Sequence, residues 1–532
     1  MSRSTSTPDV SGTPGHRRPA SILLAAGVAA AVALLTLHDL DGTPPGLFID
    51  EVAIALTARS LWETGADLDG NRLPLFPRVF RDKERPIPVN PVFAYAAIPF
   101  ALAGPGGFQA RLPAVLWFWI AAGGIGLCVH ELTRSRALGF GVGAAAALTP
   151  WLFVIGRMGW EAISFPAITS FALWTLLRGT REREARWVIA SGALFGLSLY
   201  AYSTARLLAP LTLAAAAVIW LPDARVRKAM AGAMVTAALT AIPLAIYMSR
   251  NPGALTWRVE SAVWADASGA AEAAGRFAGN YIRYFSPRFL LFEGDLNPRH
   301  GTGNGMLPWI AAPLILAGLW EAWRRRGERP VQMVAAGLLI APIAAALTTD
   351  GQPHATRTIT AVIFWAALAG MGCRRLLDLL PRPRIAAALI ALLAAVNAAA
   401  FAADYFGDFR ARGFGAFDVG KGATLKEAFA RRGNRPLYVP VPLLNDVRLE
   451  VFVPYWGELP VARWLEAGPS SLGIHPWAGH SLDAGLIVHN WYREKQDGTY
   501  PDVLRSGGPP AGARSVFSFE HDGVKLYDIF EK

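Results

Sequence analysis

Ionisable side chains recur in pairs where the apolar runs of this 532-residue chain begin or end. Asp50 and Glu51 follow the apolar turn Gly46-Leu47-Phe48-Ile49. Arg157 and Glu161 stand four residues apart, and so do Tyr202 and Arg206. Gly294-Asp295 shortly precedes Arg299-His300, and His354 and Arg357 lie within Gly351-Gln352-Pro353-His354-Ala355-Thr356-Arg357. Arginine forks grip phosphate oxygens two at a time. A carboxylate beside them can take a proton from an acceptor hydroxyl or amine. Such a set suits a substrate that is anionic yet carried by a lipid. Each member also has a plainer use. Asp50 and Glu51 fit the start of a helix, where an N-cap and the helix dipole favour acids. Arg157 and Glu161 can pair along one helix face. A lone arginine at a membrane boundary commonly snorkels to headgroup phosphates. The functional reading depends on whether these residues gather, because ionisable groups near membrane depth are costly and usually line a cavity or pathway.

The elements that must position them are membrane spans. Hydrophobic residues make up 53% of the chain and charged residues only 17%, well below a soluble domain. The net charge of +11 lies largely in short arginine-bearing loops between apolar runs. That is how a membrane protein carries positive charge, and it argues against nucleic-acid binding. Apolar runs fall at 20–37, 112–130, 137–156, 162–177, 187–204, 207–221, 229–248, 307–323, 331–348, 358–373 and 385–403, so about eleven transmembrane helices are expected. The first is read as an uncleaved span rather than a signal peptide. Residues 1–19, rich in Ser, Thr, Pro and Gly, read as a disordered cytoplasmic tail.

Charge bias sets the topology. The run from Pro91 to Ala103 is short and holds two prolines, which suits an interfacial or re-entrant helix. If it does not cross, the loops holding Arg134/Arg136, Arg178/Arg181, Arg225/Arg227, Arg324/Arg325 and Arg374/Arg375 share a side with Arg17 and Arg18. The positive-inside rule selects that arrangement. It places a first loop at 38–111, a second at 249–306, the short loops near 157–161, 203–206 and 349–357, and all of 404–532 on the extracytoplasmic face. Every ionisable pair named above then lies on that face. The expected organisation is a membrane catalytic domain over 20–403 and a small extracytoplasmic α/β domain over 404–532, with strands near Pro436–Val441, Val447–Val453 and Ser515–Phe519. Trp477/His480 and His489/Trp491 suit packing and sugar contact equally.

Several functions lose ground here. No Gly-rich phosphate loop of either nucleotide-binding pattern is present, and no cytoplasmic loop is long enough to hold a nucleotide-sugar enzyme. Cys128 and Cys373 form no disulfide framework and read as small buried side chains.

With these residues in view, the sequence resembles the bacterial branch of the dolichyl-phosphate-mannose–protein mannosyltransferase superfamily, which includes the aminoarabinose transferases of lipid A. The resemblance covers roughly residues 20–405. It rests on Phe48-Ile49-Asp50-Glu51 with Thr64-Gly65-Ala66-Asp67 after it, Arg111-Leu112-Pro113, Pro150-Trp151 with Arg157, Gly196 to Tyr202 with Arg206, Gly294-Asp295, and Pro353 to Arg357. It implies the GT-C membrane fold and a polyprenyl-phosphate sugar as donor. It also implies direct inverting displacement with Asp50, flanked by Glu51, as the catalytic carboxylate. Arg206 and Arg357, then Arg157 and His354, are the implied donor-phosphate residues, with Tyr202 toward donor or sugar. Glu161, Asp295 and His300 are placed on the acceptor side. The acceptor is a lipid, a glycan or a protein, and the expected location is the inner membrane. Many relatives carry a basic residue before Pro-Pro where this chain has Val89-Asn90-Pro91-Val92, with Lys83 and Arg85 nearby. The long sugar-binding loop of the eukaryotic enzymes is absent. No His/Asp spacing demands a metal, and metal dependence varies among enzymes of this fold, so a divalent metal stays open. The alternatives are a transporter or flippase for an anionic or lipid-linked substrate, and a non-catalytic scaffold. The first should carry ionisable residues at mid-membrane on broken or repeated spans. The second leaves the gathered charges without a use.

Overall fold

Each of the eleven apolar runs contains a helix, broken or shorter than the run in places, in the computed structural model of the protein. It describes residues 19–80, 87–255, 262–265, 267–349, 351–440, 447–477, 485–490, 512–521 and 524–532. The expected tail, Lys83, Arg85, His480 and Trp491 lie outside the described residues. Among the described residues, four helices are by themselves long and apolar enough to cross a membrane: Gly107–Thr133, Arg227–Arg250, Arg329–Ala346 and Pro383–Phe406. The 137–156 run is a bent pair, Arg136–Ala147 and Pro150–Gly156, with 62° between its halves. The bend has a local cause. Pro150 cannot donate to the preceding turn, and Thr149 Oγ1 instead accepts the Leu152 N–H at 3.3 Å, starting a new helix. The Pro91 run is broken into Pro91–Ala96 and Ile98–Ala101, both far too short to cross.

Without a hydrophobic drive between lipid-bathed helices, close backbone approach at small residues must hold the bundle together. Gly139 packs so tightly that an added Cβ would strike the Gly126 carbonyl, and one on Gly192 would strike that of Ala233. Pro383–Phe406 is the opposite case. Leu389, Leu392, Leu393 and Val396 face outward, as contact with lipid chains requires. The chain is an integral membrane protein.

A helix of 27 residues separates the two ends of the bundle by about 40 Å. At one end of Gly107–Thr133, buried Glu131 binds Arg134 and Arg181 at 3.1 and 2.7 Å. At the other, the first loop, the segment before Ala311–Arg324 and the C-terminal residues meet. The C-terminal residues form a five-stranded mixed sheet: β1 (Leu437–Pro440), β2 (Ile474–Trp477), β3 (Leu486–Asn490), β4 (Arg514–His521) and β5 (Val524–Glu531). The order is β2-β1-β3-β5-β4. β1 runs parallel to β2 and β3, while β5 is antiparallel to β3 and β4. The helix Lys421–Arg432 packs on this sheet.

The expected strand at Val447–Val453 is instead part of a helix, Val447–Trp456. Val451, Phe452 and Val453 are buried in succession, the pattern of a strand covered on both faces. Here the covering comes from packing between Lys421–Arg432 and the first-loop helix Ile49–Thr64, and that context overrides β-branched propensity. The same contact ties the C-terminal residues to the first loop. Tyr455 hydroxyl accepts the Gly106 N–H at 3.1 Å and donates to its carbonyl at 3.0 Å. Val461 N–H reaches Glu63 at 3.2 Å. Gly46 (φ +73°) sits where a Cβ would press on the backbone of Asp418 and Val419.

Candidate active site

Asp50 and Glu51 occupy the first turn of Ile49–Thr64, as their sequence position implies, but their surroundings differ. Asp50 is half-buried, whereas Glu51 is 1% exposed. Glu51 Oε2 accepts the Phe48 N–H at 2.8 Å, closing half of a capping box. Its Oε1 accepts Arg111 Nε at 2.9 Å and the Gly159 N–H at 2.8 Å. Gly159 is required there, since a Cβ would collide with the Ala110 carbonyl. Arg111, fully buried, also donates to the carbonyls of Leu40, Pro44 and Gly46. One guanidinium thus fixes the chain entering the helix and, through Glu51, the turn that carries Asp50.

Arg157 is likewise committed to backbone. Its guanidinium donates to the carbonyls of Leu35, Thr36, His38, Asp39 and Thr43 at 2.5–3.3 Å. These groups end the Pro19–Leu37 helix and begin the first loop, where terminal carbonyls lack intrahelical partners. The rings of Phe153, Tyr405 and Phe406 surround it at 5.0–5.5 Å. Expected at the donor phosphate, Arg157 instead spends its two terminal nitrogens on the scaffold.

Glu161 and Arg206 come together through Asn90. Asn90 N and Nδ2 donate to the two Glu161 oxygens at 2.6 and 2.7 Å. Its Oδ1 accepts an Arg206 terminal nitrogen at 2.6 Å. An amide is suited to this bridge, having donors for the carboxylate and an acceptor for the guanidinium. The Val92 N–H bonds the Tyr200 carbonyl at 3.2 Å, which brings buried Tyr202 and Arg206 against the start of Pro91–Ala96. Arg206 also lies over the Phe76 ring at 5.2 Å.

A second group forms from the other two expected segments. Gly294 adopts φ +68°, and the turn that follows buries Asp295. Asp295 Oδ2 accepts the Ala355 N–H at 2.7 Å and lies 3.1 Å from His300 Nδ1. His300 stacks on His354 with centroids 4.3 Å apart and 25° between the planes. His354 Nδ1 is 2.8 Å from Thr356 Oγ1. Arg357, also buried, donates to Thr348 Oγ1 at 2.5 Å. Tyr284 hydroxyl receives the His354 N–H at 3.0 Å and donates to Gln352 at 2.6 Å. Burial pushes the Tyr284 phenol pKa above its ordinary value, so it stays a donor at any physiological pH. Asp295, His300 and His354 present ligand atoms all within 4.8 Å of one another.

The two groups adjoin. Trp160, beside Glu161, packs against His300 at 5.5 Å. Arg299 lies over Phe48, two residues before Asp50, at 4.1 Å and bonds the Ala416 carbonyl at 3.1 Å. The expected residues therefore converge on one end of the bundle, with Glu51 and Arg157 supporting its walls. Sequence reasoning gave no role to Arg111, Asn90, Tyr284 or Thr356. Arg111 was open to notice as a charge at the head of an apolar run. Asn90 and Tyr284 show their roles only through their contacts in the fold.

This is an α-helical membrane protein with a charged site built from separate loops at one end of its bundle. Residues 85–247 match the family model described as dolichyl-phosphate-mannose-protein mannosyltransferase. The structure is similar to ArnT from Cupriavidus metallidurans in the apo state, with TM-score 0.59 and 16% identity over 96% of this chain and 98% of that one. It is also similar to the same protein bound to undecaprenyl phosphate, with TM-score 0.62 and 15% identity over the same shares. No curated protein matches in sequence. The resemblance to this superfamily read from the sequence is borne out, and the fold is that of ArnT.

Proposed function

We propose that the protein is a glycosyltransferase that moves a single sugar from a polyprenyl-phosphate carrier to an acceptor on the extracytoplasmic side of the inner membrane. The observation that carries this reading is the setting of Asp50. It is half-buried on a helix turn locked by a fully buried Glu51–Arg111 pair, at the end of the bundle where Glu161, Arg206, Asp295, His300, His354 and Arg357 gather. The family match over residues 85–247 and the likeness to a protein crystallised with undecaprenyl phosphate support the same donor class. The arginine-rich loops at the far end support the sidedness.

In this mechanism Asp50 takes the proton of the acceptor hydroxyl or amine as that atom attacks the anomeric carbon. The bond to the carrier phosphate breaks on the opposite face, inverting the centre. The lipid phosphate is already a good leaving group, so catalysis is mainly positioning and stabilisation of departing charge. Arg206 and Arg357 bind that phosphate, and Tyr202 faces the donor. Asn90 couples Glu161 to Arg206, so the acceptor-side carboxylate and the phosphate-side cation are set by one side chain. Glu51 and Arg157 act as positioning residues. The acceptor is a lipid, glycan or protein, and the C-terminal residues that touch the first loop help to frame its entry.

Asp50→Asn in purified protein tests the assignment. Transfer should fall by at least about 100-fold, the low end of a general base's contribution, with binding of a polyprenyl-phosphate donor retained. Near-normal transfer by the variant would remove Asp50 from the chemistry.

A further inference from the structure

We infer that the bundle end opposite the candidate active site binds one anionic phospholipid whose headgroup carries two phosphates. The surface is formed by the helices Ala311–Arg324 and Ala361–Leu379. These helices meet backbone to backbone at two glycines. A Cβ on Gly318 would strike the Leu368 carbonyl, and one on Gly372 would strike that of Leu314. Such close approach fixes the side chains of the next turn relative to one another. Glu321 follows Gly318 by one turn, and Arg375 follows Gly372 by one turn. Arg375 Nε accordingly lies 3.7 Å from Glu321 Oε2. Arg324 reaches the same oxygen at 3.5 Å.

The charges around this contact do not balance. Arg325 pairs with Glu328 at 2.7 Å and Arg374 with Asp378 at 2.9 Å. Glu321 alone serves both Arg324 and Arg375. Arg326 is exposed and pairs with no carboxylate among the described residues. Arg375 Nε is buried and makes no hydrogen bond among the described residues. Two positive charges on adjacent helix ends are thus left over, and guanidinium groups match phosphate oxygens in geometry as well as charge.

The apolar surface leading to these arginines points to a lipid rather than a soluble anion. Leu316, Leu319, Trp320 and Trp323 recur at helical spacing and all face outward, Leu316 68% and Trp323 57% exposed. Trp320 and Trp323 stack with centroids 5.2 Å apart and 24° between the planes. Arg326 lies over the Trp323 ring at 5.0 Å, which holds its charge in place. Tryptophans settle at headgroup level, so the leucines below them take the acyl chains while the arginines meet the phosphates. Binding here is independent of the transferase chemistry at the other end of the bundle.

Full-length protein is purified in a mild detergent, stripped of lipid and titrated with cardiolipin or with phosphatidylcholine, and bound lipid is counted by native mass spectrometry. The expected result is one saturable equivalent of cardiolipin, bound at least about 10-fold more tightly than phosphatidylcholine. An arginine near a membrane surface contributes about 5-fold to binding of anionic lipid, so Arg326→Gln/Arg375→Gln should weaken cardiolipin binding roughly 30-fold. Arg136→Gln removes an exposed arginine elsewhere at the same end and should bind like wild type. Inorganic pyrophosphate should not displace the lipid. Equal binding of the two lipids by wild type, wild-type binding by the double variant, an equal loss in Arg136→Gln, or displacement by pyrophosphate overturns the site. If the double variant does not fold, Arg326→Gln alone decides, with a loss of about 5-fold expected and an unchanged affinity refuting the assignment.

Discussion

Replacing Arg111 with methionine should unfold the first loop before it alters any chemistry. The substitution keeps much of the side-chain length and removes the charge. Glu51 then remains in a site where both side chains are 0% exposed, without its cation. Removing one partner of such a buried pair costs about 3–5 kcal/mol. The carbonyls of Leu40, Pro44 and Gly46 also lose their donor, at about 1–3 kcal/mol for each that water does not reach. Relaxation will absorb part of this sum. A loss of at least about 3 kcal/mol is still expected, a large fraction of a typical net stability of about 5–15 kcal/mol. The assay is an unfolding titration of the detergent-purified protein, run beside Glu51→Leu and the Glu51→Leu/Arg111→Met double variant. The double variant should recover a substantial part of the loss, because an apolar pair replaces two charges together. A change below about 1 kcal/mol in Arg111→Met, the size of an exposed ion pair, would refute the view that this pair sets the Asp50 turn.

Arg157→Lys should also destabilise the protein, since one ammonium cannot replace a fork that serves five carbonyls; thermal unfolding should show a lower midpoint, and a variant that is fully stable but weak in donor binding would return Arg157 to the phosphate. Asn90→Ala should leave Glu161 and Arg206 uncoupled; with hydrogen bonds to charged groups at about 1.5–3 kcal/mol, transfer should fall roughly 10–100-fold with the fold intact, and unchanged kinetics would contradict the bridge. Tyr455→Phe removes both bonds to Gly106; a loss of about 1–3 kcal/mol is expected, read as easier proteolytic release of the C-terminal residues, and unaltered resistance would mean the contact does not hold them.

The helical runs were legible because hydropathy alone marks segments that must satisfy their backbone inside a bilayer. The gathering of Asp50, Glu161, Arg206, Asp295, His300, His354 and Arg357 was legible because charge bias put their loops on one side. What escaped was the division of labour. Adjacent Asp50 and Glu51 look alike in sequence, and Glu51 is set apart by Arg111, 60 positions away, and by the Gly159 N–H. Arg157 resembles a phosphate ligand until the carbonyls at the end of the first helix are placed around it. The Val447–Val453 run carries a strand's composition in a helix because its burial is decided by elements distant in sequence. The Asp295–His300–His354 group joins two loops whose spacing in the chain has no meaning outside the fold.

The central claim is lipid-linked sugar transfer, and its most direct test is a donor panel. Membranes containing the wild-type protein are supplied with radiolabelled polyprenyl-phosphate sugars, and label is followed into lipid, glycan and protein fractions. The account predicts label moving from at least one donor to an acceptor, in step with release of the polyprenyl phosphate. Folded protein that moves no label from any donor in the panel would contradict it.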